Sequence, residues 1–248
     1  MVKLTHGVNM KENEFSNIAV LIDPENISHK YLQKIFESIA AYGQISVRRI
    51  YSDWTNHNRD AWKPLIHEFS LVTIQQFSNR EGKNVSDFAL VIDAMDLLHE
   101  NIFDCFCIVS SDSDFTKLAQ RIKEKGKIVI GLGEKKAIKA FVNACNEFIY
   151  LNDDLVENDA DKTNEINETK ISTEEGLDTL MNKAVENLSD QDGWVQMVKI
   201  VPYIKQIKPD FDLSDYKIKG KPLKRLRNYF ENKKEYELDK DNTIVRKK

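Results

Sequence analysis

The sequence predicts an α/β fold, a mainly parallel sheet with helices on both faces, followed by a small winged helix-turn-helix domain. Three observations carry this. Strand and helix signals alternate over residues 17–151. Two strand candidates, Ile18–Ile22 and Cys105–Val109, are unbroken apolar runs, as strands buried on both faces require. Beyond an acidic stretch, residues 176–248 read as three helices and a hairpin, the layout of a small nucleic-acid-binding unit.

The elements follow in order. Ile18–Ile22 ends at Asp23-Pro24. Ser28 is placed to cap a helix running to Tyr42, with Gly43 as its stop. Ile45–Tyr51 is the next strand. Arg59–Phe69 is a helix bent or delayed at Pro64, and Leu71–Gln75 a strand. Ser86 is expected to cap a helix bearing Phe88, Leu90, Val91, Met95 and Leu98. Then come Cys105–Val109, a helix after Asp112, the strand Lys127–Leu132, a helix around Ala137–Ala144 and the strand Phe148–Tyr150. Alternation of this kind makes βαβ units. In the second unit we expect helices over 177–188, 197–206 and 221–232, a break at Pro209-Asp210-Phe211, and a hairpin ending in Thr243-Ile244-Val245.

Charge is unevenly spread. The chain has net charge −4: residues 1–151 carry 18 bases and 19 acids (−1), 152–175 carry 2 and 9 (−7), and 176–248 carry 16 and 12 (+4). The pattern implies a flexible N-terminal arm (1–16), a body (17–151), a solvated acidic linker (152–175) and a basic unit suited to a polyanion. Three cysteines form no disulfide framework and fit a reducing cytoplasm. No segment is long and apolar enough for a transmembrane helix, and the opening residues lack the apolar core of a secretory signal.

The candidate chemistry lies at strand ends. Asp23 closes the first strand, Asp112 and Asp114 follow Cys105–Val109, and Asp87 opens a helix near the same edge. A parallel sheet brings such ends together. Converging carboxylates repel each other, and Mg²⁺ or Mn²⁺ would relieve that repulsion. The alternative is that each Asp only caps a helix. Asn26 either holds phosphate or a metal-bound water, or fixes the turn after Pro24. Gly131-Leu132-Gly133 lacks the third glycine of a dinucleotide loop. An Asp-x-Asp phosphatase is disfavoured because Glu25 stands where its second Asp would be.

These blocks resemble a known family. Residues 18–26, Lys83–Ala94 and Ser110–Phe115, with Tyr51-Ser52-Asp53-Trp54 and Ala144–Phe148, are similar to the signature blocks of NYN domains of the LabA-like branch. The resemblance implies a PIN-like ribonuclease fold and Mg²⁺- or Mn²⁺-dependent RNA cleavage, endonucleolytic in preference to exonucleolytic. Its catalytic, metal-holding acids fall on Asp23, Asp87, Asp112 and Asp114, and Asn26, Ser110 and Ser111 would position phosphate or water. Asp93 also matches, but six residues past Asp87 it points elsewhere on the helix. At Asn146-Glu147, where classical PIN nucleases carry a further acid, the chain departs from the pattern. Residues 177–246 resemble a LOTUS (OST-HTH) domain through Gly193-Trp194-Val195, Pro209–Asp212, Asp215-Tyr216, Leu223, Leu226 and Tyr229-Phe230. This implies RNA binding, and in some members protein partners. Lys217, Lys219, Lys221, Lys224, Arg225 and Arg227, with no acid among them, are the candidate phosphate contacts; a solvated helix face is the alternative. Trp194, Phe211 and Tyr229 are assigned to the core. The non-catalytic reading of the same folds is an RNA- or protein-binding adaptor.

Overall fold

The computed structural model describes residues 15–77, 84–151, 174–218, 221–241 and 243–248. The expected N-terminal arm (to residue 14) and nearly all of the linker lie outside them. The chain divides into two compact units, Met1–Leu155 and Val156–Lys248.

In the first unit β1 (Phe15–Ile22), β2 (Gly43–Ser52), β3 (Val72–Gln75), β4 (Cys105–Val109), β5 (Ile128–Gly133) and β6 (Glu147–Tyr150) form one sheet, ordered β3-β2-β1-β4-β5-β6. Every pairing is parallel. The helices are α1 (Leu32–Ala40), α2 (Lys63–Glu68), α3 (Val85–Glu100), α4 (Thr116–Glu124) and α5 (Lys139–Ala144). Alternation within the apolar runs splits the core in two. Ile18, Val20, Ile22, Cys105, Cys107 and Val109 pack toward α1 through Ile35, Phe36 and Ile39. Ala19, Leu21, Phe106 and Ile108 pack toward Leu90, Ala94, Leu118 and Phe141 of α3, α4 and α5. Ile18–Ile22 of β1 and all of β4 are therefore fully buried, which is why they read as unbroken apolar runs.

Several elements differ from expectation at their ends. Ser28 Oγ does accept from the Lys30 N–H, but it caps a 3₁₀ turn, His29–Tyr31, ahead of α1. Arg59 likewise falls in a 3₁₀ turn, His57–Trp62, and Pro64 sits in the first turn of α2, where its missing N–H costs nothing. The α3 cap position belongs to Asn84, not Ser86, which is buried inside the helix. Gly43 opens β2 at φ 154°, where an added Cβ would lie 2.0 Å from the Phe15 carbonyl oxygen. Gly43→Ala is expected to cost about 2–3 kcal/mol in urea denaturation, from strain and overpacking together.

The second unit holds α6 (Glu174–Leu188), β7 (Trp194–Gln196), α7 (Met197–Ile207), short strands β8 (Lys217–Ile218) and β9 (Lys221–Pro222), α8 (Leu226–Asn232), β10 (Tyr236–Leu238) and β11 (Ile244–Lys247). Strands β10, β11 and β7 make an antiparallel sheet over a core that includes Met181, Ile200, Ile204, Phe211, Tyr229 and Phe230. The third helix starts five residues later than expected, because β8 and β9 pair as a small antiparallel ladder instead. The basic run is thus mostly loop and strand, not a helix face. Trp194 is not fully enclosed; the Arg246 guanidinium lies 4.7 Å from its ring centroid.

Candidate active site

The chain winds outward from β1 through β2 to β3, then returns to lay β4 on the other side of β1. The carboxyl ends of β1 and β4 form the switch point where open α/β sheets bind ligands. Asp23 follows β1, and Ser110–Asp114 follow β4. The ladder continues into these segments: the Asp23 N–H donates to Val109 O at 3.0 Å, and the Ser110 N–H to Leu132 O at 3.0 Å.

Asp23 is only 2% exposed. Its Oδ1 accepts from the Glu25 N–H at 2.9 Å, and its Oδ2 accepts from Asn26 Nδ2 and Ser110 Oγ, both at 2.8 Å. Burial pushes the Asp23 carboxyl up from its ordinary value, against the three hydrogen bonds that favour the anion. The Ser110 hydroxyl also accepts from the Asp112 N–H at 3.0 Å. Asp112 caps the 3₁₀ turn Ser113–Phe115 through Oδ1, which accepts from the Asp114 N–H. Asp114 Oδ2 accepts from Asn84 Nδ2 at 3.2 Å, tying the start of α3 to this turn.

Asp87 lies in the first turn of α3, half-buried. Its carboxyl is pushed up to about 7, by burial first and then by Asp23, Asp112, Glu25 and Asp114. The four acids read from the sequence thus share one field, together with a fifth. The fifth is Glu25, which the sequence does not single out as a site residue although it stands two residues from Asp23 on the same strand-end turn. Its Oε1 accepts from Ser86 Oγ at 3.2 Å and lies 3.6 Å from Arg59 Nη2. Arg59 also donates to Ser52 Oγ at 3.1 Å and Pro24 O at 3.3 Å, closing the site on its β2 side.

Asn26 and Ser110 are engaged with Asp23. Ser111 Oγ accepts from the Glu134 N–H at 2.9 Å and fastens the β4 loop to the end of β5. Asp93 stands apart, its carboxylate bonded by the Arg49 guanidinium and the Tyr51 hydroxyl. Glu147 begins β6, at the opposite sheet edge, and accepts from Tyr42 Oη at 2.6 Å. Gly131 and Gly133 lie inside β5, where a Cβ would meet Phe148 and the Ser110 carbonyl. These glycines serve packing. In the second unit Lys217, Lys224, Arg225 and Arg227 are exposed, with Arg227 paired to Glu231. Lys219 and the side chain of Lys221 fall outside the described residues.

The donor set is all carboxylate oxygen, the chemistry of a hard divalent cation. The mutual repulsion that raises Asp87 is what such an ion would relieve. Among the described residues, no group of three His, Cys, Asp or Glu is arranged tightly enough to hold a metal by itself. Among the same residues, no helix is long and apolar enough to cross a membrane.

A family model described as the NYN domain matches residues 17–152. An uncharacterized protein of Methanocaldococcus jannaschii is 28% identical over 136 residues, 53% of this chain and 53% of that protein. The chain thus spans about half the length of that curated relative. The crystal structure of a protein of unknown function from Vibrio parahaemolyticus aligns over 60% of this chain and 98% of that one, at 18% identity and a TM-score of 0.46. NYN domains belong to the PIN-like nuclease superfamily. With over half of its length matched by the family model, the chain belongs to the NYN family.

Proposed function

We propose that this protein is a metal-dependent ribonuclease that hydrolyses RNA phosphodiesters, endonucleolytically, with a C-terminal RNA-binding module. The observation that carries this is the convergence of Asp23, Asp87, Asp112, Asp114 and Glu25 on the β1/β4 switch point. A carboxylate site that repels itself has use for a cation, and a family of nucleases has use for both. Asp23, Asp87, Asp112 and Asp114 would hold Mg²⁺ or Mn²⁺ directly or through water. Such an ion makes water nucleophilic and stabilises the leaving oxygen.

The remaining residues orient the acids. Asn26 and Ser110 fix Asp23 Oδ2, and Ser110 also sets the Asp112 backbone. In this reading Asn26, with Ser110 or Ser111, positions phosphate or bound water. Arg59 holds the Pro24-Glu25 turn against β2.

Residues 176–248 we assign to a LOTUS (OST-HTH) winged helix-turn-helix. Its Lys217, Lys219, Lys221, Lys224, Arg225 and Arg227 contact RNA phosphates, with protein partners as a second use of the domain. An acidic linker over 152–175 would keep that RNA at high effective concentration near the nuclease. The three buried free cysteines fit a cytoplasmic setting.

The test is cleavage of labelled RNA by the purified chain with Mn²⁺. Asp112→Asn is expected to slow it by about 10²-fold or more, in the range lost when one electrostatic group leaves a catalytic site. Equal cleavage by the variant refutes the assignment. A second reading, a non-catalytic adaptor, draws on the absence of a tight metal-binding group among the described residues. Calorimetric titration with Mn²⁺ separates the two: the nuclease binds the ion through Asp23 and Asp112, and the adaptor does not.

A further inference from the structure

Beside the acids lies a feature that the hydrolytic chemistry leaves unused. An open groove of about 390 Å³ runs between β3 and α3, lined by Ile74, Gln76, Val85, Phe88, Ile92 and Asp96 among others. This volume lies within the range of small-ligand clefts, about 300–1,000 Å³. Phe88 and Ile92, one helical turn apart in this wall, are 69% and 62% exposed. Clustered exposure of this kind marks a binding surface.

We propose that this groove seats an unpaired nucleobase of the RNA strand whose phosphate meets the acid cluster, with Phe88 as the stacking platform. The inference rests on the reading above that the site acts on RNA. Three observations favour this occupant. First, the groove begins beside the site: Val85, two residues before Asp87 in the first turn of α3, lines it, and on its other wall the Gln76 N–H donates to the Ser52 carbonyl at 3.0 Å, while the Ser52 hydroxyl binds Arg59. Second, its polar groups suit a base and not a phosphate. The Gln76 amide can accept from or donate to a base edge, whereas the Asp96 carboxylate accepts from base amino groups and repels the backbone; the second lining carboxylate, Asp93, is already held by Arg49 and Tyr51. Third, the wall is aromatic, and every base has a π-face, so stacking tolerates any sequence. A paired base keeps its faces inside the duplex, so the groove selects single-stranded RNA.

The test is photocrosslinking of the full chain to a short single-stranded RNA containing 4-thiouridine, followed by peptide mapping. The expected crosslink falls on the peptide containing Phe88, weakens about tenfold in Phe88→Ala and returns in Phe88→Trp. The same strand annealed to its complement crosslinks there at least about tenfold less. Because Phe88 is mostly exposed, Phe88→Ala is expected to fold normally, which its thermal melt checks. Crosslinks confined to other peptides, or unchanged in Phe88→Ala, overturn the proposal. So does self-association, seen by sedimentation, that Phe88→Ala abolishes while the crosslink persists; the groove would then seat a second copy. The two readings fail separately. A wild type that never cleaves RNA but keeps the Phe88-dependent crosslink refutes only the nuclease. Cleavage that depends on Asp112 without that crosslink refutes only the base seat.

Discussion

Asp23→Asn is expected to reduce RNA cleavage by about 10²–10³-fold while changing folding stability by less than about 1 kcal/mol. The functional loss follows from position. Asp23 is the most enclosed of the five acids, and its two oxygens are aimed by the Glu25 N–H, Asn26 and Ser110. An amide removes the negative charge and turns one oxygen into a donor, losing an interaction of the size seen when a single electrostatic group is deleted from a catalytic site. The small effect on stability is a balance. Burial disfavours the Asp23 anion, so a neutral side chain relieves a cost. The new NH₂ group, however, faces groups that all donate, a mispairing worth about 1–3 kcal/mol. The Ser110 hydroxyl can rotate to ease it. Single-turnover cleavage with Mn²⁺, alongside urea melts in EDTA, reads both quantities; a large drop in stability would mean that Asp23 serves the fold first.

Asp87→Asn is expected to stabilise the fold at neutral pH and to slow the chemistry as Asp23→Asn does. Its carboxyl is raised to about 7 by burial and by four neighbouring acids. A carboxyl raised in the native state opposes folding when ionised. The penalty is absent below about pH 4, grows as pH rises through the interval up to about 7, and is complete above it. At half exposure, solvent screening reduces it to about 1–2 kcal/mol. Metal-free wild type should therefore lose about that much stability between pH 4 and pH 8, whereas Asp87→Asn should lose less and be the more stable at pH 8. Adding Mn²⁺ should stabilise the wild type and leave the variant nearly unchanged, with cleavage down by about 10²-fold. A variant no more stable than wild type at pH 8 in EDTA contradicts the shared acidic field.

The central sheet was legible because its strands are buried on both faces. β4 matches the apolar run Cys105–Val109 residue for residue, since no solvent-facing position interrupts it. The acids at strand ends were legible for the same reason: once two parallel strands are placed, their carboxyl ends lie at one edge. Capping was not. Both Asn84 and Ser86 are good caps, and Ser86 lost because burial against Glu25 draws its hydroxyl inward. Glu25 went unread as a site residue because a Glu after Pro looks like solvent-facing turn; only the approach of Arg59 and Ser86 from other segments reveals it. The run from Lys217 to Arg225 was read as partly helical, although Gly220 and Pro222 lie within it. Both residues interrupt a helix, and the chain forms a small ladder there instead.

The return of the chain from β3 to β4 also bears on biosynthesis. Asp23 leaves the ribosome early, with β1 and β2 able to pair behind it, yet Ser110, which holds its carboxylate, comes 87 residues later. Until β4 docks against β1, no part of the growing chain holds more than a fraction of the acids. A protein made from its N-terminus thus brings these acids together only after the chain has been made past Asp114.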